Sequence, residues 1–329
     1  MIAYYLHKDI DTFKWNRCIE EADNGLIYAY SFYLDLMAGR WDALVLNDYE
    51  AVMPLTWNRK YGFYYLYQPY FIPSLGIFGL KDQNVTVFDF LKAIPIKFRY
   101  WDIKLNESNC LMGNISNQRI NITTSTNYLL NLNKPYAEIN ANYKRLCLRM
   151  VKKAADNQVE IVREGKPVDV VDFYCKLYTS KHEHISPGIY NKLIACTTKC
   201  FGMEQAKIYL AKLPDGEIIA AYLVLVDKKF VYSLIGGSSE KGKQTGSFYL
   251  VTDAAIKDHA GSERVFRFEG SDIQGIAFFN TQFGPDLINY LHVICNKLPF
   301  PINLLKKYVA ISSQLSAKPL LAFSPIADS

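Results

Sequence analysis

The sequence predicts a mixed α/β chain, of the α+β kind with mainly antiparallel sheets, folded as two domains in tandem. Three observations predict it. The chain has 329 residues, more than one ordinary core absorbs and about the length of two domains of roughly 150 residues. Hydrophobic residues make up 50% and charged residues 21%, a globular balance with enough apolar surface to build two cores. Each half also runs through the same order of segments: helices, an antiparallel meander, a helix, then more strand. No repeat is visible in the residues themselves. The boundary is expected near residue 130, giving domains 1–130 and 131–329, the second with a connector helix and a C-terminal extension.

In the first half, residues 11–23 read as a helix with Phe13, Trp15, Ile19 and Ala22 on its apolar side, stopped by Asn24-Gly25. Ser31 can cap a second helix that Gly39 closes. Strand-like runs follow at 43–46, 50–57 and 62–67, the first two joined as a hairpin at Asn47-Asp48. Pro69, Pro73 and Gly76 break the next stretch into a loop, and a helix over 89–94 ends at Pro95. Strands at 100–105 and 118–122 lead to an extended segment at 127–132.

The second half begins with one long helix over 136–157 and a strand at 159–163. Helices at about 167–180 and 188–201 precede three strands, 206–212, 218–226 and 230–236. Pro214-Asp215-Gly216 hinges the first two. A glycine-bearing loop over 236–246 opens a helix at 247–259. A strand at 265–268 and a short helix at 278–283 complete the pattern.

Composition excludes several classes. No window reaches the roughly 18–20 apolar residues of a membrane span, and the N-terminus, with His7, Lys8, Asp9 and Asp11, has no signal-peptide core. The expected location is the cytoplasm. Seven irregularly spaced cysteines form neither a disulfide framework nor a paired zinc pattern. His182-Glu183-His184 lacks the further ligands of a zinc site and is expected to be a polar loop. The four Asn-x-Ser/Thr sequons carry no meaning without secretion. No Gly-x-Ser-x-Gly elbow or Cys/His pattern supports covalent hydrolysis.

The net charge of +5 is uneven. Residues 1–130 hold 12 basic and 13 acidic groups, or −1, and the remainder 25 and 19, or +6. The second half is therefore where an anionic ligand is sought.

Three constellations there could carry chemistry. The first is the run Tyr232–Gly246, in which Gly236, Gly237, Gly242 and Gly246 would let backbone N–H groups approach a diphosphate. Lys241 and Lys243 add charge, and Ser247 opens the helix. It matches neither a Walker loop nor a G-x-G-x-x-G fingerprint; a solvated surface loop is the alternative. On the loop reading, a bulky change at Gly242 blocks the donor without touching stability. The second is Arg264–Ser271, where Glu269 falls at a strand's C-terminal end and could deprotonate or orient an amine. A surface pair with Arg267 or a turn cap is the alternative. The third is a helical stripe of Arg145, Arg149, Lys152 and Lys153 opposite Tyr143, Cys147, Met150, Val151 and Ala154, able to track a polyanion or simply to face solvent.

These residues resemble the Fem-like transferases, tandem-domain members of the GNAT acyltransferase superfamily. The resemblance rests on Leu129–Arg163 with Asn157-Gln158-Val159-Glu160-Ile161, on the meander 208–237, and on Phe268-Glu269-Gly270-Ser271 followed by Phe283-Gly284. In the first half, Tyr28–Ser31, Trp41–Val45, Asp48–Pro54 and Tyr67–Pro69, with Asn296–Pro299 near the end, are similar to an uncharacterised group from the Bacteroidetes. The resemblance implies two tandem GNAT-like domains in a bacterial acyltransferase that moves an acyl or aminoacyl group to an amine. The donor would be acyl-CoA, as co-substrate rather than resident cofactor, or an aminoacyl-tRNA, lying against the 236–246 loop and the basic helix. Glu269 would position or deprotonate the acceptor amine, with Tyr232 as a hydrogen-bonding neighbour and no metal. Related sequences often carry a basic residue just before the final Phe-Gly, where this chain has Asn280, Thr281 and Gln282. That departure admits a catalytically silent binding module, and the basic helix admits an RNA-binding protein.

Overall fold

The computed structural model describes residues 1–81, 84–110, 119–178 and 185–303. His182-Glu183-His184 lies outside the described residues. Among those described, the chain forms two compact units, 1–126 with 289–303, and 127–288. The expected boundary at residue 130 falls inside a strand that begins in the first unit and ends in the second.

In the first unit the chain forms β1 (Ile2–Tyr5), α1 (Thr12–Glu21), α2 (Ser31–Met37), β2 (Trp41–Leu46), β3 (Ala51–Lys60), β4 (Phe63–Tyr67), α3 (Val87–Ala93), β5 (Phe98–Lys104) and the start of β6 (Ile120–Asn131). Asp11 caps α1 by accepting from the N–H groups of Phe13 and Lys14. The helix buries Trp15, Cys18 and Ile19, whereas Phe13, expected on the apolar side, is 75% exposed. Gly25 stops α1 by close packing, since a side chain there would strike the Ile19 carbonyl. Ser31 is the first residue of α2 rather than its cap, and its hydroxyl accepts from Asn16. Thr86 and Asp89 form a reciprocal capping box on α3.

The second unit contributes α4 (Tyr136–Ala141), α5 (Arg145–Asp156), β7 (Glu160–Val162), α6 (Pro167–Tyr178), α7 (Pro187–Gly202), β8 (Ala206–Lys212), β9 (Ile218–Val226), β10 (Phe230–Ser238), α8 (Glu240–Thr245), α9 (Ser247–His259), β11 (Val265–Arg267) and α10 (Gln274–Asn280). A further strand, β12 (Asp286–Asn296), returns the chain to the first unit.

Strand order repeats between the units. The first runs β1-β2-β3-β4-β5-β12 and the second β7-β8-β9-β10-β11-β6. Each is a four-strand antiparallel meander, a fifth strand parallel to the fourth, and a sixth antiparallel to the fifth. Helices fall at matching points: α1 and α2 answer α6 and α7, and α3 answers α8 with α9. A parallel pair needs a crossover, which these helices supply.

Four expectations are corrected. The helix expected over 136–157 is two, because the backbone at Lys144 turns extended and its N–H donates to the Gln282 carbonyl instead of one turn back. The two strands expected at 118–122 and 127–132 are replaced, among the described residues, by one twelve-residue strand, β6 (Ile120–Asn131). The glycine loop is largely regular, with Gly236 and Gly237 inside β10 and a helical turn, α8, capped by the Ser239 hydroxyl. The strand β12, with its run of Leu, Ile, Tyr, Val and Cys, is additional to the elements expected.

The second unit's core joins α4, α5 and α9 to the sheet through Ile139, Cys147, Met150, Ala154, Val251, Ala255, Tyr222, Phe248, Phe266 and Phe283. Helix α9 is buried nearly throughout, so it serves as a structural axis against which site residues are held. No described helix is long and apolar enough to cross a membrane.

Candidate active site

The second unit opens between β10 and β11. These strands pair in parallel at Phe230↔Val265, Val231↔Phe266 and Tyr232↔Arg267. Beyond that point β11 ends, while β10 continues to Ser238 along β9. A bulge between Ser233 and Ile235 bends β10 where the pairing stops. On the other side the chain leaving β11 stays with β6, through Phe268 N–H to the Tyr128 carbonyl at 3.0 Å. The two strands therefore part at their C-terminal ends, the place where α/β sheets hold ligands.

Glu269 sits at this parting. It is 7% exposed and adopts φ +54°, followed by Gly270 at +67°. A left-handed non-glycine residue costs about 1–2 kcal/mol, so packing must hold the bend. Its carboxylate accepts from Arg267 Nε at 3.0 Å and from Asn127 Nδ2 at 2.9 Å. Its own N–H donates to Asn127 Oδ1 at 3.0 Å. Asn280 Nδ2 donates to the Glu269 carbonyl at 3.2 Å and to Ser271 Oγ at 3.3 Å. Arg267 is 1% exposed and lies 5.1 Å over the Phe230 ring. The Arg267–Glu269 pair weighed above as a surface contact is thus a buried one, inside a polar cluster that also takes Asn127, Ser271 and Asn280. Each oxygen of this carboxylate thus accepts a hydrogen bond from within the protein.

Tyr232 is fully buried, and its hydroxyl donates to Asp227 at 2.5 Å. Asp227 precedes β10, so this bond points back along the strand, away from its C-terminal end. Burial raises the Asp227 carboxyl above its ordinary range, an effect countered by Tyr232 and by the N–H groups of Lys229 and Phe230.

The glycines are explained by packing. A side chain on Gly236 would meet Tyr222 and Phe248, one on Gly237 would meet Tyr178, and one on Gly242 would lie 2.2 Å from the Ile219 carbonyl. Gly246 takes φ +80° against the Met150 carbonyl. A substitution at Gly242 would therefore disturb the fold, contrary to the expectation of an isolated binding defect. Lys241 pairs with Glu217 and Lys243 with Glu240, so part of the positive charge is answered within the protein. Ser247 is buried, sharing a 2.6 Å hydrogen bond with Thr245.

The basic residues Arg145, Arg149, Lys152 and Lys153 are all exposed on α5, while Cys147, Met150 and Ala154 are buried. Positions 280–282 hold no basic residue: Asn280 and Gln282 are buried, and both Thr281 and Gln282 donate to the Phe278 carbonyl. Sequence reasoning missed Asn127, Asp227, Tyr178 and the roles of Ser271 and Asn280. Asn127 is 142 residues from Glu269, a distance no local pattern spans.

Against solved structures, the chain is similar to FemX, with TM-score 0.63 at 12% identity, over 90% of this chain and 98% of that one. The chain shares the fold of FemX. A conserved protein of unknown function from Bacteroides thetaiotaomicron aligns with TM-score 0.56 at 12% identity, over 90% and 100% of the two chains. The C-terminal domain of an Agrobacterium fabrum protein described as a lysylphosphatidylglycerol synthetase aligns with TM-score 0.53 at 11% identity, over 92% and 96%. No protein-family model matches the sequence, and no curated protein matches it.

Proposed function

We propose that this protein transfers an acyl or aminoacyl group from an activated donor to an amine, in the second unit. The observation that carries this is the parting of β10 from β11 with the buried, strained Glu269 at its mouth. The Fem-like fold, shared with FemX and with a lysylphosphatidylglycerol synthetase domain, supports the reaction class. The donor, acyl-CoA or an aminoacyl-tRNA, lies along the opened side of β10 toward α8 and the start of α9. The acceptor nitrogen attacks the donor carbonyl and the new C–N bond forms. The thiolate or ribose oxygen leaves, taking the proton that the amine loses. Glu269, held by Arg267 and Asn127, orients the amine. Holding the reacting atoms together supplies much of the rate without an unusual base.

A second reading, a binding module without catalysis, is favoured by one observation: both Glu269 oxygens are engaged and no basic side chain stands at 280–282. Calorimetry with CoA separates the donors. Wild type should bind it, and Lys241→Ala with Lys243→Ala should weaken binding severalfold. Equal binding by the mutant moves the diphosphate elsewhere. No CoA binding by wild type leaves aminoacyl-tRNA, tested by transfer of a radiolabelled aminoacyl group to amines, and failure of both leaves the binding module.

A further inference from the structure

The first unit holds a cavity of about 250 Å³, between the C-terminal half of α1, the turn that joins β2 to β3, and the chain at Gly79–Lys81. At about 30 Å³ per water this is room for more than a few solvent molecules, and it is smaller than a drug-sized pocket. Its walls are built. Gly79, at φ +78°, has no side chain, and a Cβ there would lie 2.9 Å from the Glu50 carbonyl and 3.0 Å from Cys18 Sγ, crowding the floor. Asn24 fixes that glycine by accepting from its N–H at 3.2 Å. Tyr49 props the turn, its hydroxyl accepting from Asp11 N–H at 2.7 Å at the start of α1. Walls held in this way are formed before any ligand arrives.

The lining combines an apolar base with charges of both signs. Ala22, Leu46 and Cys18 are buried and make the base. Burial raises the Cys18 thiol to about 11, Glu21 adds to the rise and Lys81 opposes it. At neutral pH the thiol stays protonated, a small apolar group rather than a nucleophile. Glu50 is engaged, its carboxylate accepting from Asn47 Nδ2 at 2.7 Å. Glu21 and Lys81 are not: they do not pair with each other, and neither has a hydrogen-bond or ion-pair partner among the described residues. An unpaired carboxylate and an unpaired ammonium beside one apolar base match a small molecule that carries both opposite charges and an apolar arm.

We propose that this cavity binds a free α-amino acid with an apolar side chain. Its ammonium meets Glu21, its carboxylate meets Lys81, and its side chain covers Cys18, Ala22 and Leu46. Glu21 and Lys81 are exposed, so each ionic contact is screened and changes affinity by about fivefold at most. Binding is therefore weak, in the millimolar range. Glu269 and the donor groove play no part in it.

The test is an NMR titration of the wild-type protein at fixed salt, following the backbone amides of Ala22 and Gly79, with L-leucine as probe. Leucinamide keeps the ammonium and loses the carboxylate; isocaproate keeps the carboxylate and loses the ammonium. L-leucine should move both amides, and each analogue should bind about two- to fivefold more weakly. Glu21→Gln should weaken L-leucine and leave isocaproate unchanged, whereas Lys81→Gln should weaken L-leucine and leave leucinamide unchanged. Both positions are on the surface, so the variants should melt with the wild type. Amides that stay still at tens of millimolar L-leucine overturn the proposal. So does equal binding of L-leucine and either analogue, a comparison that needs no variant.

Discussion

Replacing Glu269 by Gln probes the centre of the candidate site through stability, before any substrate is known. The side chain is 8% exposed and its partner Arg267 1%, so solvent screening is small. Breaking a buried pair by neutralising one member costs about 3–5 kcal/mol, because the other charge is left uncompensated. Glutamine keeps the shape and can keep one hydrogen bond, from Asn127 Nδ2 to its amide oxygen, which places the cost near the lower end, about 3 kcal/mol. Left-handed strain at position 269 is unchanged. For a unit of this size each kcal/mol lowers Tm by about 2–4 °C, so the shift is roughly 6–12 °C. Differential scanning fluorimetry measures it. Arg267→Met combined with Glu269→Gln removes both charges and should recover at least half of the loss, as a coupled pair requires. A Tm within about 2 °C of wild type for Glu269→Gln, or costs that simply add in the double variant, would refute the buried pair.

Other outcomes follow from the same geometry. Gly242→Ala drives a Cβ to 2.2 Å from the Ile219 carbonyl and should cost about 1–3 kcal/mol. Gly202→Ala, in open space, should be neutral or stabilising; equal melting of the two variants would contradict the packing account. Burial raises the Asp253 carboxyl above its ordinary 3.8, partly offset by the Tyr136 hydroxyl that donates to it. Native protein then holds that proton more tightly than unfolded chain. Stability is greatest below about pH 3.8 from this group and is lost as pH rises through the raised value. Asp253→Asn should flatten that loss in urea titrations, though not abolish it, since Asp227 acts in the same sense. Finally, if α5 binds a polyanion, Arg149→Gln with Lys152→Gln weakens RNA binding and lowers its salt dependence. Absence of salt-sensitive RNA binding by wild type makes the stripe a solvated face.

Periodicity made much of the fold legible because it reports burial. The apolar runs in 206–212 and 218–226, separated at Pro214-Asp215-Gly216, gave both strands with their observed ends, and the amphipathic stripe gave α5, with Cys147, Met150 and Ala154 buried. Where a long-range partner decides, the local pattern fails. Helix 136–157 breaks because Lys144 bonds to Gln282, 138 positions away, and β12 leaves the second unit for a strand formed some 190 residues earlier. Glu269 was legible as a residue type at a strand end. Its environment was not, since Asn127 arrives on β6. Arg267 alternates outward from Phe266 and Phe268, which sequence alone reads as surface; only the presence of β10 and Phe230 beside it makes that side an interior.

The glycines show how one pattern supports two physical causes. A glycine is required wherever a Cβ cannot fit, whether a phosphate or a protein atom fills the space. At 236, 237, 242 and 246 protein atoms fill it: Tyr222 and Phe248, Tyr178, Ile219 and Met150. The matched topology of the units sharpens what remains for a ligand. Both have a parallel fourth and fifth strand, but α3 is seven residues long and separated from β4 by nineteen residues, whereas α8 begins two residues after β10 and α9 follows directly. A helix start close to an opened strand end combines directed N–H groups with a positive dipole. Among the described residues, only the second unit brings these together with a buried carboxylate at the parting of the strands. That conjunction, rather than the glycines, supports the proposal of transfer chemistry in the second unit.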